Sequence, residues 1–161
     1  MILKKRRESV MGAVSVLRDE LLAVLELGIR TMEGLLQKVK EKDWNYRPAE
    51  NMRNLQELAI HIISISEVDL HLWQEKDQET IQNLEASYEQ IESTKAMIGA
   101  MHKGFQQYKT YMVSLSDEEL LTKKTKPFYL ERGKIQAHWL VEEISHFFHH
   151  RGQFLNSLAM I

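Results

Sequence analysis

Long segments in which apolar residues recur every three or four positions limit the fold of this chain more than any other feature. They are rarely interrupted, because the sequence holds only two prolines, Pro48 and Pro127, and seven glycines among its 161 residues. Apolar residues at this spacing form one face of an amphipathic helix, whereas a half-buried strand would alternate apolar and polar residues. The sequence therefore predicts an all-α fold. Its length fits one domain, residues 1–161, that buries most of its apolar surface.

Four helices follow from the apolar stripes and the signals at their ends. Asn54 with Glu57, and Ser116 with Glu119, have the spacing of capping boxes, which open the second helix and a short turn. The pattern predicts a four-helix bundle with a longer crossover before the last helix. The predicted helices are Val14 to Glu41, Leu55 to Glu75, Ala86 to Leu115 and the segment from Ile135 to Ile161, with irregular stretches at 76–84 and 122–133.

Several glycines lie inside the predicted helices, where each costs about 1 kcal/mol relative to alanine. At Gly28 and Gly34 we expect a local bend or a close helix contact, and at Gly152 a close helix approach. Leu17 and Leu155 belong to the apolar stripes of the first and last helices, and are therefore predicted to be buried.

Composition and charge exclude several classes of protein. The chain has no cysteine, which removes disulfides, zinc-thiolate sites and a protein thiol nucleophile, and which fits a cytoplasmic protein. A net charge of −2 gives no field that favours nucleic acid or an anionic membrane as a partner. Residues 4–7 are basic and precede an apolar segment, but charged residues at 18–20 interrupt it, so a frayed or helix-extending start is expected rather than a secretory signal.

A cluster of histidines in the last helix is the strongest indication of chemistry. His146, His149 and His150 fall within five residues. His146 and His150 are one turn apart and about 40° apart around the helix, so both imidazoles can reach one cation at about 2.0–2.1 Å. His149 falls on the polar side. A third ligand has to come from another helix, and His61, at the edge of the apolar stripe of the second helix, is the best-placed candidate.

The alternative for this cluster is a group of surface histidines that bind nothing. A histidine pair with this spacing is common on helices without a metal, and the remaining histidines are expected to be solvated or to face away from the site. The residues alone leave both interpretations open. The remaining histidines of the chain are His71, His102 and His138.

Several polar residues near the cluster have two interpretations each. Glu142 and Glu143 lie one turn before His146, and either is a candidate general base or a solvated helix carboxylate. Gln153 is a candidate hydrogen-bond partner of a ligand imidazole, or a solvated glutamine. Arg151 falls inside the apolar arc, so it needs a carboxylate, helix-terminal carbonyls or a subunit contact, and Asp69 is a candidate partner.

Two segments resemble the DinB/YfiT-like family. RPAENMRNLQELAIHI, residues 47–62, is similar to the family's entry into its second helix, with a proline, a capped start and a single histidine. SHFFHHRGQFLNSL, residues 145–158, resembles the family's H-x-x-x-H-R-G-Q signature near the C-terminus. The resemblance extends over residues 17–158 and implies a DinB/YfiT-like four-helix bundle. It also implies a metal site formed by His61, His146 and His150, with one coordination position left open as in catalytic zinc sites.

What the resemblance implies about activity is broad. Some relatives are thiol-dependent transferases or isomerases that use small thiols such as mycothiol or bacillithiol, and many have no assigned activity. We therefore expect a homodimeric enzyme that holds a divalent metal, Zn²⁺ or Ni²⁺, and acts on a small molecule as a thiol transferase or a hydrolase. The alternative is a non-catalytic helical dimer with a structural or vestigial metal site. Its interface would be formed by the first and third helices.

Overall fold

Six α-helices account for most of the chain. The structure, a computed structural model, describes the backbone of residues 2–161 and the side chains of residues 12–161. The helices are α1 (Ile2–Leu36), α2 (Leu55–Trp73), α3 (Gln78–Glu89), α4 (Thr94–Ser114), α5 (Asp117–Thr122) and α6 (Gln136–Ala159). A 3₁₀ turn follows α1 at Glu41–Asp43, and two short strands, β1 (Lys124–Thr125) and β2 (Lys134–Ile135), pair antiparallel in the crossover.

The four long helices form the predicted bundle. α2 and α1 each pack against both α4 and α6, so the helices follow one another around the bundle in the order α1, α4, α2, α6. Apolar side chains from all four helices are fully buried at its centre, among them Leu25, Ile62, Phe105 and Phe147. Both the all-α fold and the longer crossover before the last helix, which holds α5 and the two strands, are confirmed.

Helix caps set where two of the helices begin. The Asn54 side chain accepts a hydrogen bond from the Glu57 amide at 2.8 Å, and the Glu57 carboxylate accepts one from the Asn54 amide at 2.9 Å. The same reciprocal pair between Ser116 and Glu119 opens α5. Both predicted capping boxes are confirmed. The first of them fixes the start of α2 two turns before His61, and thus the direction in which that histidine points.

The predicted loop at 76–84 is wrong, because most of it belongs to α3. The Asp77 side chain caps this helix by accepting from the Thr80 amide at 2.8 Å. Only Ile81 and Tyr88 of α3 are buried, a stripe too narrow to be recognised from apolar periodicity. The predicted third helix is also divided, since the chain leaves helical conformation after Glu89 and α4 begins at Thr94.

The bounds of α1 and two burial predictions also differ from expectation. α1 begins at Ile2 rather than Val14, so the start is helix-extending and not frayed, and it ends at Leu36 rather than Glu41. Leu17 is 60% exposed and Leu155 is 42% exposed, so their predicted burial is wrong.

Gly28 allows α1 and α6 to approach closely. A Cβ atom at this position would lie 2.9 Å from Cε2 of Phe148 and 3.2 Å from Cδ1 of Phe147, both on α6. The predicted close contact is therefore confirmed for Gly28. At Gly34 and Gly152 a Cβ atom would meet no described atom within 4 Å, so the close approach predicted at Gly152 is wrong. Within residues 2–161, no helix combines the length and apolar character that a membrane span requires.

Candidate metal centre

Three histidines from two adjacent helices converge on one point. His61 lies on α2, and His146 and His150 lie on successive turns of α6. Each ring offers one nitrogen, and these nitrogens lie within 4.8 Å of one another. The ring centroids are 5.4 Å apart for His61 and His146, and 4.4 Å apart for His61 and His150. The structure thus brings together the three residues that the sequence selected.

The orientation of His146 is fixed by a buried carboxylate. Its Nδ1 lies 2.9 Å from Oδ2 of Asp69, a residue of α2 that is only 7% exposed. A carboxylate can only accept, so Nδ1 donates and Nε2 carries the lone pair. The hydrogen bond with Asp69 raises the pKa of His146 above its ordinary value. Asp69 was expected to pair with Arg151, and its pairing with His146 corrects that prediction.

His150 is oriented in a similar way by an amide. Its Nδ1 donates to Oε1 of Gln153 at 2.8 Å, which again leaves the lone pair on Nε2. The amide nitrogen of Gln153 in turn donates to Nε2 of His149 at 3.2 Å. The predicted contact between Gln153 and a candidate ligand imidazole is confirmed. His149 itself is exposed and lies outside the cluster, as the helix geometry predicted.

His61 contributes a buried nitrogen that the described residues leave without a partner. Its Nε2 is inaccessible to solvent and makes no hydrogen bond to any described atom. Burial is the main cause that lowers the pKa of His61 to about 3, with the positive charges of Arg53, His150 and His146 adding to the effect. The ring is therefore neutral at physiological pH, which is the form that binds a metal.

These features fit a divalent cation of the zinc type. A buried ring nitrogen without a partner carries a desolvation cost that ligation would remove. Two neighbouring rings present lone pairs whose tautomers are held by hydrogen bonds from their far side, the arrangement found behind metal-ligating histidines. Nitrogens bound at about 2.0–2.1 Å to a tetrahedral ion are about 3.4 Å apart, so the rings would have to close slightly around it.

Three cavities border the cluster and leave it accessible from outside. One, of about 550 Å³, is lined by His61, Arg53 and Glu85, and a second, of about 510 Å³, by His61, His146 and Glu85. A third, of about 360 Å³, borders His150 and Arg53. A small molecule can therefore approach the cluster from both sides of α2.

The two candidate general bases face in different directions. Glu142 is exposed, lines the 510 Å³ cavity and lies 3.1 Å from Nε2 of His138. Glu143 is fully buried and accepts a hydrogen bond from Oγ of Ser66 at 2.7 Å, so it cannot touch a substrate directly. Burial raises the pKa of Glu143 well above its ordinary value, and the nearby charge of Asp69 raises it further.

The other polar residues singled out from the sequence lie outside the cluster. His71 bonds to the Glu67 carbonyl, and His102 pairs with Glu33 at 2.7 Å. Arg151 is half-buried, and its guanidinium lies 5.7 Å from the ring centroid of Phe148 rather than beside a carboxylate. Its Nε is buried without a hydrogen-bond partner among the described residues.

Sequence reasoning missed three residues that border the site. Glu85 lies on α3, between the predicted loop at 76–84 and the predicted helix start at Ala86, and it lines two of the cavities. Tyr129 reaches the 510 Å³ cavity from the crossover, where no periodicity reveals which side chains turn inward. Arg53 precedes the cap of α2, and only its position directly before a capping box could have indicated its place near the histidines.

Comparison with known proteins agrees with this architecture. Residues 24–154 match the DinB superfamily, while the chain matches no curated protein. A protein of the DinB family from Exiguobacterium sibiricum has a similar structure, with a TM-score of 0.74 and 22% identity over 88% of this chain and 89% of that one. DinB-like proteins from Bacillus subtilis and Bacillus cereus each give a TM-score of 0.64, with 15% and 20% identity, covering 88% of this chain and 90% and 91% of theirs. With its bundle, its histidine cluster and a match over residues 24–154, this chain belongs to the DinB superfamily.

Proposed function

We propose that this protein is a metal-dependent enzyme that holds Zn²⁺ or Ni²⁺ at His61, His146 and His150 and acts on a small molecule. The reaction would be transfer of a low-molecular-weight thiol to an electrophile, or hydrolysis. One observation carries the proposal: three imidazole nitrogens lie within 4.8 Å of one another, on histidines that line cavities open to the outside. A structural zinc site is usually closed by four protein ligands, whereas a site with three leaves a position for substrate.

The surrounding residues have roles that follow from their contacts. Asp69 and Gln153 hold His146 and His150 in the tautomer that directs Nε2 toward the cluster. Glu142, exposed on the wall of the 510 Å³ cavity, is the candidate for accepting a proton from a bound substrate. A divalent cation there would lower the pKa of a thiol or water that it binds, so that a nucleophile forms near neutral pH.

The metal part of the proposal is tested by elemental analysis of the purified protein and two variants. We expect about one divalent ion per chain in the native protein and a loss of most of it in His150→Ala. His149→Ala is the matched control, because this neighbouring histidine is exposed and lies outside the cluster. Equal metal content in all three proteins would remove the site.

The catalytic part is tested with a panel of small thiols and one electrophilic acceptor, together with activated esters for hydrolysis. Turnover that needs added metal and disappears in His150→Ala would support an enzyme. A metal-loaded protein with no turnover on either panel would favour the alternative, a non-catalytic helical dimer with a structural metal site.

A homodimer is part of the proposal in both cases, and the exposed apolar face of α1 supports it. Val16, Leu17, Val24 and Leu27 are between 46% and 61% exposed. Leu17 and Val24 are seven residues apart and thus share one face of the helix. Light scattering should give twice the chain mass for the native protein, and Val24→Asp should shift it to the monomer. A native monomer would exclude this interface.

A further inference from the structure

The cavities on the two sides of the histidine cluster differ in charge. The 510 Å³ cavity beside His146 is lined by the carboxylates Asp69, Glu85 and Glu142, together with apolar and aromatic side chains. In the 360 Å³ cavity beside His150, Arg53 is the only residue of fixed charge, and no carboxylate is among the lining residues. A negative group of a ligand would therefore be repelled from the 510 Å³ cavity and accepted in the 360 Å³ cavity.

Arg53 stands where its charge can act on a ligand of the cluster. It lines the 360 Å³ cavity that reaches His150 and also the 550 Å³ cavity that reaches His61. The 550 Å³ cavity holds the carboxylates Glu57, Glu85 and Glu89 as well, so only the 360 Å³ cavity leaves the charge of Arg53 unopposed. In the part of the chain whose side chains are described, its guanidinium forms no ion pair or hydrogen bond, whereas nearby Arg47 is held by Glu57 at 2.9 Å.

We propose that Arg53 binds a carboxylate or phosphate group of the small molecule whose reacting atom lies at the histidine cluster. This rests on the proposed function only for the position of the reacting atom. The guanidinium offers parallel N–H donors that fit an oxyanion. Asn51 and Ser157, which line the same cavity, supply further hydrogen-bond donors around that anion. Arg53 is thus a specificity-determining residue that also fixes which way the substrate lies across the cluster.

The length of the ligand is limited by the shape of this arrangement. One cavity contains both Arg53 and His150, so the anion and the reacting atom fit within a space of about 360 Å³. That space suits a compact molecule, whereas the rest of a larger substrate would have to extend toward the apolar wall of the other cavity, formed by Leu72, Trp73 and Tyr129. A small thiol acid such as 3-mercaptopropionate is therefore a suitable probe.

The test compares 3-mercaptopropionate with 3-mercapto-1-propanol, which has nearly the same shape and no charge. Both are titrated into Co²⁺-loaded protein, and the thiolate-to-cobalt absorption is measured. We expect the acid to bind roughly three- to tenfold more tightly, with tenfold equal to about 1.4 kcal/mol. The preference should fall as salt rises, because Arg53 is exposed. The preference for the acid should vanish in Arg53→Gln. It should persist in the control Arg30→Gln, because Arg30 is exposed and lines none of these cavities. In Arg53→Glu the positively charged thiol cysteamine should bind more tightly than the acid.

The outcomes separate this inference from the function on which it rests. Equal affinity of the native protein for the two thiols would overturn the role of Arg53 and leave the thiol site intact. If neither thiol alters the cobalt spectrum, thiol binding fails, and the inference is decided on metal-free protein by titrating succinate while observing the Arg53 Nε–H resonance. A saturable shift that is absent for 1,4-butanediol supports an oxyanion site, and no shift overturns it.

Discussion

Replacing Asp69 by asparagine tests whether the histidine cluster is a metal site with a supporting carboxylate. The substitution keeps the shape of the side chain and its ability to accept from Nδ1 of His146, but it removes the negative charge. A hydrogen bond to a charged group contributes about 1.5–3 kcal/mol, roughly twice a neutral one. Removing the charge-assisted half therefore costs about 0.8–1.5 kcal/mol. Asp69 is only 7% exposed, so solvent screens this difference little.

At 1.4 kcal/mol per tenfold, that free energy corresponds to metal binding roughly four- to twelvefold weaker. The upper part of this range meets the lower end of the effects measured for such supporting residues. Competition with a chromophoric chelator would give the dissociation constants of native and variant protein. Glu142→Gln is the matched control, since this carboxylate lines the same cavity but pairs with His138 instead of a candidate ligand. If Asp69→Asn and Glu142→Gln both bind metal as tightly as the native protein, the inferred supporting role of Asp69 is incorrect.

Five further substitutions at four positions test the packing around the site by thermal or urea unfolding. Folding raises the pKa of buried Glu143 above its unfolded value of 4.5, so the folded state binds more protons and its stability falls as pH rises above that value. Glu143→Gln should therefore raise the melting temperature at pH 8 and leave it nearly unchanged at pH 4. Thr125→Val should cost about 2 kcal/mol, because two buried side-chain donors lose the hydroxyl they share at 3.0 Å, whereas Thr125→Ser should cost much less. Gly28→Ala should lower stability by about 1–2 kcal/mol through its contact with Phe148, while Gly152→Ala, with open space around it, should raise stability by up to about 1 kcal/mol. A pH-independent effect at Glu143, equal losses at Thr125 for both variants, or the same sign at the two glycines would contradict the respective argument.

The parts of the fold that could be predicted are those that a single helix determines by itself. Capping at Asn54 and Ser116 depends on residues only three positions apart. The apolar stripes of α2 and α4 contain enough buried residues to be recognised from their periodicity. The same holds for the spacing of His146 and His150. α3 was missed because it buries only Ile81 and Tyr88, so its position depends on packing against α2 rather than on a pattern of its own.

Partners of buried polar residues could not be predicted, because they depend on how two helices face each other. Asp69 and Arg151 both fell on apolar arcs, and pairing them would have satisfied both. In the structure Asp69 bonds to His146, five residues earlier on α6, which is more than one helical turn away from Arg151. A helix wheel indicates that a buried carboxylate needs a partner. Which residue that partner is depends on how far one helix is shifted along its axis relative to the other.

The convergence of the three histidines depends in turn on contacts at the opposite face of α6. Phe147 and Phe148 lie between His146 and His150 in the sequence, and both pack against α1 at Gly28. Since side chains one and two positions apart point to different sides of a helix, seating these rings on α1 turns His146 and His150 toward α2. The rotation of α6 is thus set from the side away from the site. A bulkier residue at position 28 would displace the histidines as well as the core, so Gly28→Ala should weaken metal binding, while Gly152→Ala, although it lies nearer to the ligands in sequence, should not.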